Sequence, residues 1–302
     1  MITWVIGSGG LLGSALVRHL DSTFPTSPVP WAEPELAALH LDREAERFAT
    51  YLDGSPWSVI WAAGAATTSS SDAQTRAELE SLRGLLTGIR KHLPAGEGHF
   101  FLASSAGGVY AGSTNPPFNR DTPVRALSAY GELKLAQESL ASDMLADFAT
   151  VTIGRVSNLY GPGQDLGKLQ GLISRLALAA ITRQPINIFV PLDTIRDYIY
   201  VDDAANDILN WMRGTPFART RGCVIEIIAS GQATTVGYLL QTMNHIAKRQ
   251  VPVAFGSHAS SVAQSPDLRL QPSVQPRQSM PLPAGMKVVY QDIVECMQHS
   301  GI

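Results

Sequence analysis

Residues 2–13 of the chain read ITWVIGSGGLLG, and this stretch decides the fold. Its apolar first half, Ile2–Ile6, predicts a buried strand, and Leu11–Leu20 predicts a helix that begins directly after the glycines. The first, fourth and seventh positions of the intervening turn are Gly7, Gly10 and Gly13. In that spacing the glycines permit a tight turn, the close approach of a pyrophosphate and close packing of helix on strand. We therefore expect a dinucleotide-binding turn, with a tight turn that holds no ligand as the alternative.

Three further apolar runs predict buried strands at Trp57–Trp61, His99–Ala103 and Val151–Arg155. Helical periodicity separates them, from about 73 to 91 and from Ser128 to Phe148. Alternating strands and helices of this kind form a parallel sheet with helices on both faces. The predicted fold class is α/β, a Rossmann doubly wound parallel sheet with a smaller C-terminal substrate-binding lobe.

The alternation of strands and helices loosens after Gly161, which places a domain boundary there. We assign residues 1–160 to an NAD(P)-binding Rossmann domain and residues 161–302 mainly to the substrate-binding lobe. Segments around 197–230 are expected to return to the Rossmann domain. The stretch Gly256–Pro283 is rich in Ser, Pro and Gln and predicts a long loop over a surface or a site.

Composition and charge limit the partners of the chain. It has 302 residues, of which 45% are hydrophobic, so it can bury a large core. A formal net charge of -3 gives no general attraction to nucleic acid or to an anionic membrane, and neither partner is expected. Two cysteines are too few for a disulfide framework, and no apolar run reaches about 18 residues. We expect a soluble, cytoplasmic protein.

Tyr130 and Lys134 lie four residues apart in the predicted helix Ser128–Phe148, which places both side chains on one helix face. A nearby ammonium stabilises a phenolate, and this suits a tyrosine to proton exchange with an alcohol or a carbonyl. The same spacing also arises by chance in many helices.

The segment ASSAGGVY, residues 103–110, ends a predicted strand at the edge where open parallel sheets bind ligands. A serine hydroxyl at this edge can hydrogen-bond a substrate oxygen while the tyrosine moves the proton. Ser105 lies nearer the loop than Ser104 and is the preferred candidate. A serine-rich turn without a catalytic role is the alternative.

Six motifs follow one another between Met1 and about Ser230. They are the glycine turn, Ala62-Ala63-Gly64, the serine segment, Tyr130-x-x-x-Lys134, RVSNLYGP at 155–162 and RDYIYVDD at 196–203. Together they resemble the NAD-dependent epimerase/dehydratase family of extended short-chain dehydrogenases, which includes UDP-galactose 4-epimerase. The resemblance implies that Tyr130 is the acid/base, that Lys134 supports it and holds the nicotinamide ribose, and that Ser105 orients the sugar hydroxyl. It also implies that the cofactor is contacted by Gly7, Gly10, Gly13 and Ala63.

The resemblance implies a nucleotide-sugar substrate. Asn158 would face the sugar nucleotide and Arg196 would bind its diphosphate; a turn residue and a surface ion pair with Asp197 are the respective alternatives. The match fades after Ser230, and residues 264–268, QSPDL, hold no arginine where relatives offer one to the diphosphate. A C-terminal leucine-glycine-tryptophan signature is also missing. A small non-nucleotide carbonyl compound is therefore the alternative substrate.

The expected cofactor is NAD or NADP, with NAD preferred. We place the second strand at Pro28–Trp31, and no acid that would bind the adenosine ribose stands at its end. Glu33 is the nearest carboxylate, and no Arg or Lys is there for a 2′-phosphate. Asp42 would hydrogen-bond the adenine from the next turn, or it is a solvated turn carboxylate.

Epimerases, dehydratases and reductases of this family share the first proton and hydride transfer. Dehydratases commonly carry an acidic pair beside the serine segment, where this chain has Ala106 and Gly107, so dehydration is disfavoured. Compared with the commonest pattern of the family, the serine segment has one more residue before Val109-Tyr110. The choice between Ser104 and Ser105 as the active serine therefore stays open. We expect an NAD(P)-dependent nucleotide-sugar epimerase, with a reductase or a non-catalytic NAD(P)-binding regulatory protein as alternatives. The oligomeric state stays open, a homodimer being one candidate, and the His and Cys spacing predicts no metal site.

Overall fold

The computed structural model describes residues 2–67, 70–96, 98–167, 171–214, 221–256, 265–273 and 279–299. Its strands are β1 (Ile2–Ile6), β2 (Trp57–Trp61), β3 (Gly98–Ser105), β4 (Thr150–Val156), β5 (Asn158–Tyr160), β6 (Ile186–Ile188), β7 (Ile195–Tyr200), β8 (Gly222–Ile228), β9 (Ala233–Thr235) and β10 (Val253–Phe255). Its helices are α1 (Leu11–Arg18), α2 (Pro34–Leu52), α3 (Asp72–His92), α4 (Ala106–Val109), α5 (Ala129–Leu145), α6 (Leu172–Thr182), α7 (Val201–Gly214), α8 (Val236–Ala247) and α9 (Leu282–His299).

The central sheet is parallel, with the strand order β1-β2-β3-β4-β8. Helices α2, α3 and α5 bury one of its faces, and α1 and α7 bury the other. Strand β2 is buried along its whole length, which explains why four of its five residues are apolar, with apolar side chains on both faces of the sheet. The predicted α/β doubly wound parallel sheet is confirmed.

The assignment of a second strand to Pro28–Trp31 is wrong. After α1 the chain meets β1 only through an isolated parallel bridge between Thr3 and Thr23, where the Phe24 N–H donates to the Thr3 oxygen at 2.9 Å. The prolines at positions 25, 28 and 30 have no N–H to donate, so the chain cannot continue a ladder beside β1.

Aromatic packing covers the edge of β1 in place of that strand. The Phe24 ring lies 5.7 Å from the ring of Trp4 and 5.1 Å from that of Phe48, measured between centroids. Tyr51 adds an edge-on contact to Phe24 at 5.4 Å. Phe24 is therefore the centre of a cluster that joins the first strand to α2.

The C-terminal elements form two small sheets and a helical layer. Strands β5, β7 and β9 make one sheet, and β6 pairs with β10. Helices α6, α8 and α9 pack on one another around a shared apolar core. By contrast, α7 and β8 pack into the central sheet layer, on β4 and its neighbours. Within the described residues, no helix combines the length and apolar character needed to cross a membrane.

Part of the predicted loop Gly256–Pro283 is tied to the rest of the chain. Asp267 bridges Ile195 of β7, and Leu270 bridges Phe118, which follows the serine segment. The stretches 257–264 and 274–278 of this loop lie outside the described residues.

We predict that Phe24→Ala lowers the free energy of unfolding by about 3–5 kcal/mol, because it empties the centre of the aromatic cluster beside β1. Urea unfolding of the parent and the variant measures the difference. The control is Leu36→Ala, at a side chain that is 48% exposed. The control should change the stability by less than about 0.5 kcal/mol. If both variants lose the same free energy of unfolding, the aromatic cluster does not stabilise the edge of β1 as described.

Candidate active site

The glycine turn lies at the carboxyl edge of the central sheet, in contact with the end of β2. Gly7 has a φ of +88°, a left-handed conformation that favours glycine. A Cβ atom on Gly7 would lie 2.6 Å from the Ala63 nitrogen, and one on Gly13 would collide with the Gly7 carbonyl. The packing of the turn itself thus requires Gly7 and Gly13, and it brings Ala63 against the turn.

Gly10 differs from the other two glycines of the turn. It has an extended conformation with a φ of -82°, and a Cβ atom there would meet the Gly7 oxygen at an ordinary contact distance of 3.4 Å. Gly10 is also the N-cap of α1, where it provides no side-chain cap for the first amides of the helix. Bare backbone at a helix start fits the phosphates of a dinucleotide, which bind to free N–H groups and the positive end of the helix dipole.

Tyr130 and Lys134 lie in the first two turns of α5, which begins after the N-cap Ser128. The Lys134 Nζ is 5.6 Å from the centroid of the Tyr130 ring. Tyr130 is half-buried, whereas Lys134 is only 5% exposed. The phenol therefore borders the solvent, and the ammonium lies behind it in the protein.

The serine segment packs against the start of α5. A Cβ atom on Gly108 would lie 3.1 Å from the Tyr130 ring, so the ring rests on the backbone of α4. Ser105 is the half-buried N-cap of α4, and its Oγ accepts the Gly108 N–H at 3.2 Å. Ser104 is buried, and its Oγ donates to Glu138 Oε1 at 2.5 Å. Ser104 is thus held in the interior, whereas Ser105 lies at the half-buried start of α4.

A buried ion pair lies behind Ser104. The Nη2 atom of Arg155 on β4 donates to the Oε2 atom of Glu138 on α5 at 2.7 Å. The Nη1 atom of Arg155 donates to the Tyr110 hydroxyl, also at 2.7 Å. Burial raises the pKa of Tyr110 above its ordinary value, so this phenol stays neutral as an acceptor for the arginine. The network fastens α5 to the central sheet.

Lys134 has a carboxylate partner that the sequence analysis did not identify. Glu78 of α3 places its Oε1 atom 3.2 Å from the Lys134 Nζ. Its Oε2 atom accepts the N–H groups of Ala65 and Ala66, each at 3.1 Å. Local sequence does not separate Glu78 from the other carboxylates of α3, because these contacts join three distant segments of the chain.

Asn158 and Arg196 lie on the paired strands β5 and β7. Asn158 is exposed, and its Nδ2 donates to the Asp197 carbonyl at 2.8 Å. Arg196 is 8% exposed, so the interpretation of Arg196 as a surface residue is wrong. Burial lowers the pKa of its guanidinium, which reflects the cost of keeping this charge away from water.

A second arginine is brought towards the strand that carries Arg196. The bridge between Asp267 and Ile195 lays this part of the chain along β7, and Arg269 forms an ion pair with Asp267 at 2.8 Å. Residues 264–268 contain no arginine, and Arg269 directly follows them. The position of Arg269 beside β7 becomes evident only from the bridge between Asp267 and Ile195.

Asp42 is not brought to the edge that carries the glycine turn. It lies inside α2, 3.5 Å from the Lys91 Nζ and 3.3 Å from the His92 Nε2. These two residues end α3 immediately before the chain enters β3, at the opposite edge of the sheet. The expectation of a turn at Asp42 is wrong, since α2 runs without a break through Pro34–Leu52. In the ranges that the structure describes, no group of His, Cys, Asp and Glu side chains is arranged to hold a metal ion.

Comparison with known proteins assigns the chain to a family. The sequence model of the NAD dependent epimerase/dehydratase family matches residues 3–215, which is more than half of the chain. The protein belongs to this family.

Two curated proteins are similar to part of the chain. The dTDP-L-rhamnose 4-epimerase of Burkholderia thailandensis is 33% identical over 130 residues, covering 42% of this chain and 35% of that protein. The dTDP-4-dehydro-6-deoxyglucose reductase of Escherichia coli is 26% identical over 163 residues, covering 51% of this chain and 47% of that protein. The chain thus spans less than half the length of these relatives.

Solved structures are similar to nearly the whole chain. A UDP-glucose 4-epimerase from Thermotoga maritima with UDP-glucose has a TM-score of 0.77 at 18% identity, covering 98% of this chain and 100% of that chain. MoeE5 in complex with UDP-glucuronic acid and NAD has a TM-score of 0.80 at 20% identity, with the same coverage. At these identities the similarity establishes the fold.

We predict that Gly10→Val leaves the fold intact and weakens NAD(H) binding by about tenfold or more, because the added side chain occupies the space of the pyrophosphate. Fluorescence titration with NADH and thermal melting of the same sample measure the two effects. Gly13→Ala is the contrasting variant, since its Cβ collides with the turn itself and should lower the melting temperature. A folded Gly10→Val protein with parental NADH affinity would show that the turn does not hold the pyrophosphate.

Proposed function

We propose that the protein is an NAD(P)-dependent nucleotide-sugar epimerase, in which Tyr130 exchanges a proton with the sugar. One observation carries the proposal. Tyr130, backed by the buried Lys134, rests on the serine segment at the same sheet edge as the glycine turn. An acid/base group, a supporting ammonium and a cradle for a dinucleotide therefore share the edge at which parallel sheets bind ligands.

The side chains of the site have complementary roles in this reaction. The Tyr130 phenolate accepts the proton of a sugar hydroxyl during oxidation, and the phenol returns it during reduction. The Lys134 ammonium stabilises the phenolate, and its burial strengthens that interaction by excluding water. Ser105 orients the sugar oxygen from the end of β3. A bound nicotinamide supplies the hydride acceptor and, in the return step, the hydride donor.

Epimerisation is favoured over dehydration because α4 carries no acidic side chain. Ala106 is fully buried, and Gly107 has no side chain that could protonate a leaving hydroxyl. A reductase is the second candidate, supported by the similarity of about half the chain to the E. coli reductase. An epimerase leaves the amount of NAD(P)H unchanged, whereas a reductase consumes one NAD(P)H in each turnover. Following nicotinamide absorbance during turnover therefore separates the two.

The proposed substrate carries a nucleoside diphosphate, and the protein binds it through this group. The chain as a whole carries a net charge of -3, so a diphosphate must be bound by local positive charge. Arg196, within β7, supplies that charge, and Arg269, which is paired with Asp267, lies in the segment that runs beside the same strand. NAD is preferred to NADP as the cofactor because the N-cap of α2 is the carboxylate Glu33, which would repel a 2′-phosphate.

We predict that Arg196→Lys weakens the affinity for UDP or dTDP by about tenfold, because a lysine keeps the charge but loses the planar fork that matches phosphate oxygens. Isothermal titration with both nucleotides measures the change. Arg249→Lys, at an exposed arginine after α8, is the control and should bind like the parent. If Arg196→Lys also binds like the parent, the diphosphate is not held at β7, and a small carbonyl substrate is favoured.

We predict that Tyr130→Phe lowers kcat by on the order of a hundred- to ten-thousand-fold, because it removes the group that transfers the proton. The melting temperature and the NADH affinity should stay parental, since only one oxygen is lost from a half-buried ring. Turnover is measured against a panel of UDP- and dTDP-hexoses by chromatography of the products.

The matched control is Tyr238→Phe, at a tyrosine of α8 that is 46% exposed, and it should turn over at the parental rate. Parental turnover in Tyr130→Phe would contradict the catalytic assignment. A parent that binds NADH but turns over none of these sugars would instead support a binding protein or a different carbonyl substrate.

A further inference from the structure

The carboxylate of Glu78 holds three segments of the chain together. Its Oε1 atom accepts from the Lys134 Nζ at 3.2 Å and from the Gln137 Nε2 at 3.0 Å. Its Oε2 atom accepts the two backbone N–H groups of Ala65 and Ala66. The Glu78 side chain is only 10% exposed, so four donors surround an almost fully buried carboxylate. Glu78 is therefore the point at which these donors of three segments meet.

The loop that Glu78 holds is the continuation of β2 at the glycine turn. Ala63, which contacts Gly7, lies two residues before Ala65. Gly64 allows the carboxylate to come this close, since a Cβ atom there would lie 3.1 Å from Glu78 Oε1. The same carboxylate therefore touches the loop beside the dinucleotide cradle and the ammonium behind the acid/base.

We propose that Glu78 is a positioning residue, which fixes the position of Lys134 relative to the loop after β2. Its negative charge also limits how strongly Lys134 stabilises the Tyr130 phenolate. The proposal rests on the proposed function of Tyr130 and Lys134. Glu78 itself touches neither substrate nor the reacting atoms in this account. It acts through the lysine and through the two amides.

The signs of the two effects follow from the charges around Lys134. Glu78 of α3 lies 3.2 Å from the Lys134 Nζ, and the centroid of the Tyr130 ring, on the same helix as Lys134, lies 5.6 Å from it. Glu138, one turn further along α5, is already matched by Arg155. Removing the Glu78 charge therefore leaves the ammonium less neutralised, which favours the phenolate and moves its ionisation to lower pH. Losing an acceptor for the loop amides loosens the cofactor cradle.

The test compares Glu78→Gln with Glu80→Gln, a charge removal at an exposed carboxylate of the same helix. Glu78→Gln should move the ionisation of Tyr130 to lower pH, because a nearby negative charge is removed. It should also weaken NADH binding several-fold. The ionisation is followed by tyrosinate absorbance in the absence of substrate, as the difference between each protein and its Tyr130→Phe counterpart. NADH binding is followed by fluorescence titration.

Glu80→Gln should match the parent in both measurements. Glu78→Gln could instead melt at a lower temperature while Tyr130 ionises at the parental pH and NADH binds with the parental affinity. This result would overturn the proposal, since Glu78 would then be only structural. If Glu78→Gln does not fold, Glu78→Asp replaces it. The shorter acid keeps the charge and loses reach, so NADH binding should weaken while the ionisation of Tyr130 stays parental. Parental NADH affinity in Glu78→Asp would overturn the proposal.

The failure of this proposal is distinguishable from the failure of the proposed function. If Tyr130→Phe abolishes turnover while Glu78→Gln behaves like Glu80→Gln, only the role of Glu78 is wrong. If Tyr130→Phe turns over like the parent, the catalytic assignment is wrong.

Discussion

Backbone contact between Gly7 and Ala63 joins the first two strands at the edge where the candidate site lies. A Cβ atom on Gly7 would lie 2.6 Å from the Ala63 nitrogen, so only glycine permits this approach. Beyond Ala63, the amides of residues 65–66 bind Glu78, and Glu78 binds Lys134. A continuous path of direct contacts thus connects the glycine turn to the helix that carries the proposed acid/base. The relative position of the glycine turn and Lys134 depends on this path.

Two buried ion pairs hold α5 in place on either side. Lys134 is paired with Glu78 of α3, while Glu138 is paired with Arg155 of β4. Removing one partner of a buried pair commonly costs about 3–5 kcal/mol, because the remaining charge is left without compensation. The two pairs therefore restrict the movement of α5. A proton-transfer group needs such rigid support to keep its geometry through the reaction.

Short sequence patterns correctly predicted single strands and the helix face that carries Tyr130 and Lys134, because neighbouring residues determine these features. The apolar run Trp57–Trp61 is β2 residue for residue, and the spacing of Tyr130 and Lys134 does place both side chains on one helix face. The strand assigned to Pro28–Trp31 is wrong because its prolines cannot join a ladder. Asp42 does not lie in a turn, because α2 continues through it.

Other parts of the site depend on contacts between distant residues and could not be predicted locally. Glu78 is 56 residues from its partner Lys134, and no spacing rule connects them. The segment that carries Arg269 lies along β7 because Asp267 bridges Ile195. The family assignment, in contrast, follows from the sequence alone, because it rests on several motifs in a fixed order.

The most direct test of the central claim is the binding of nicotinamide dinucleotides to the unmodified protein. Calorimetric titration with NAD⁺, NADH, NADP⁺ and NADPH should show saturable binding at one site per chain, tighter for the NAD pair than for the NADP pair. The bound dinucleotide should also raise the melting temperature, because it binds only the folded state. A folded protein that shows no saturable binding of any of the four dinucleotides would contradict the account.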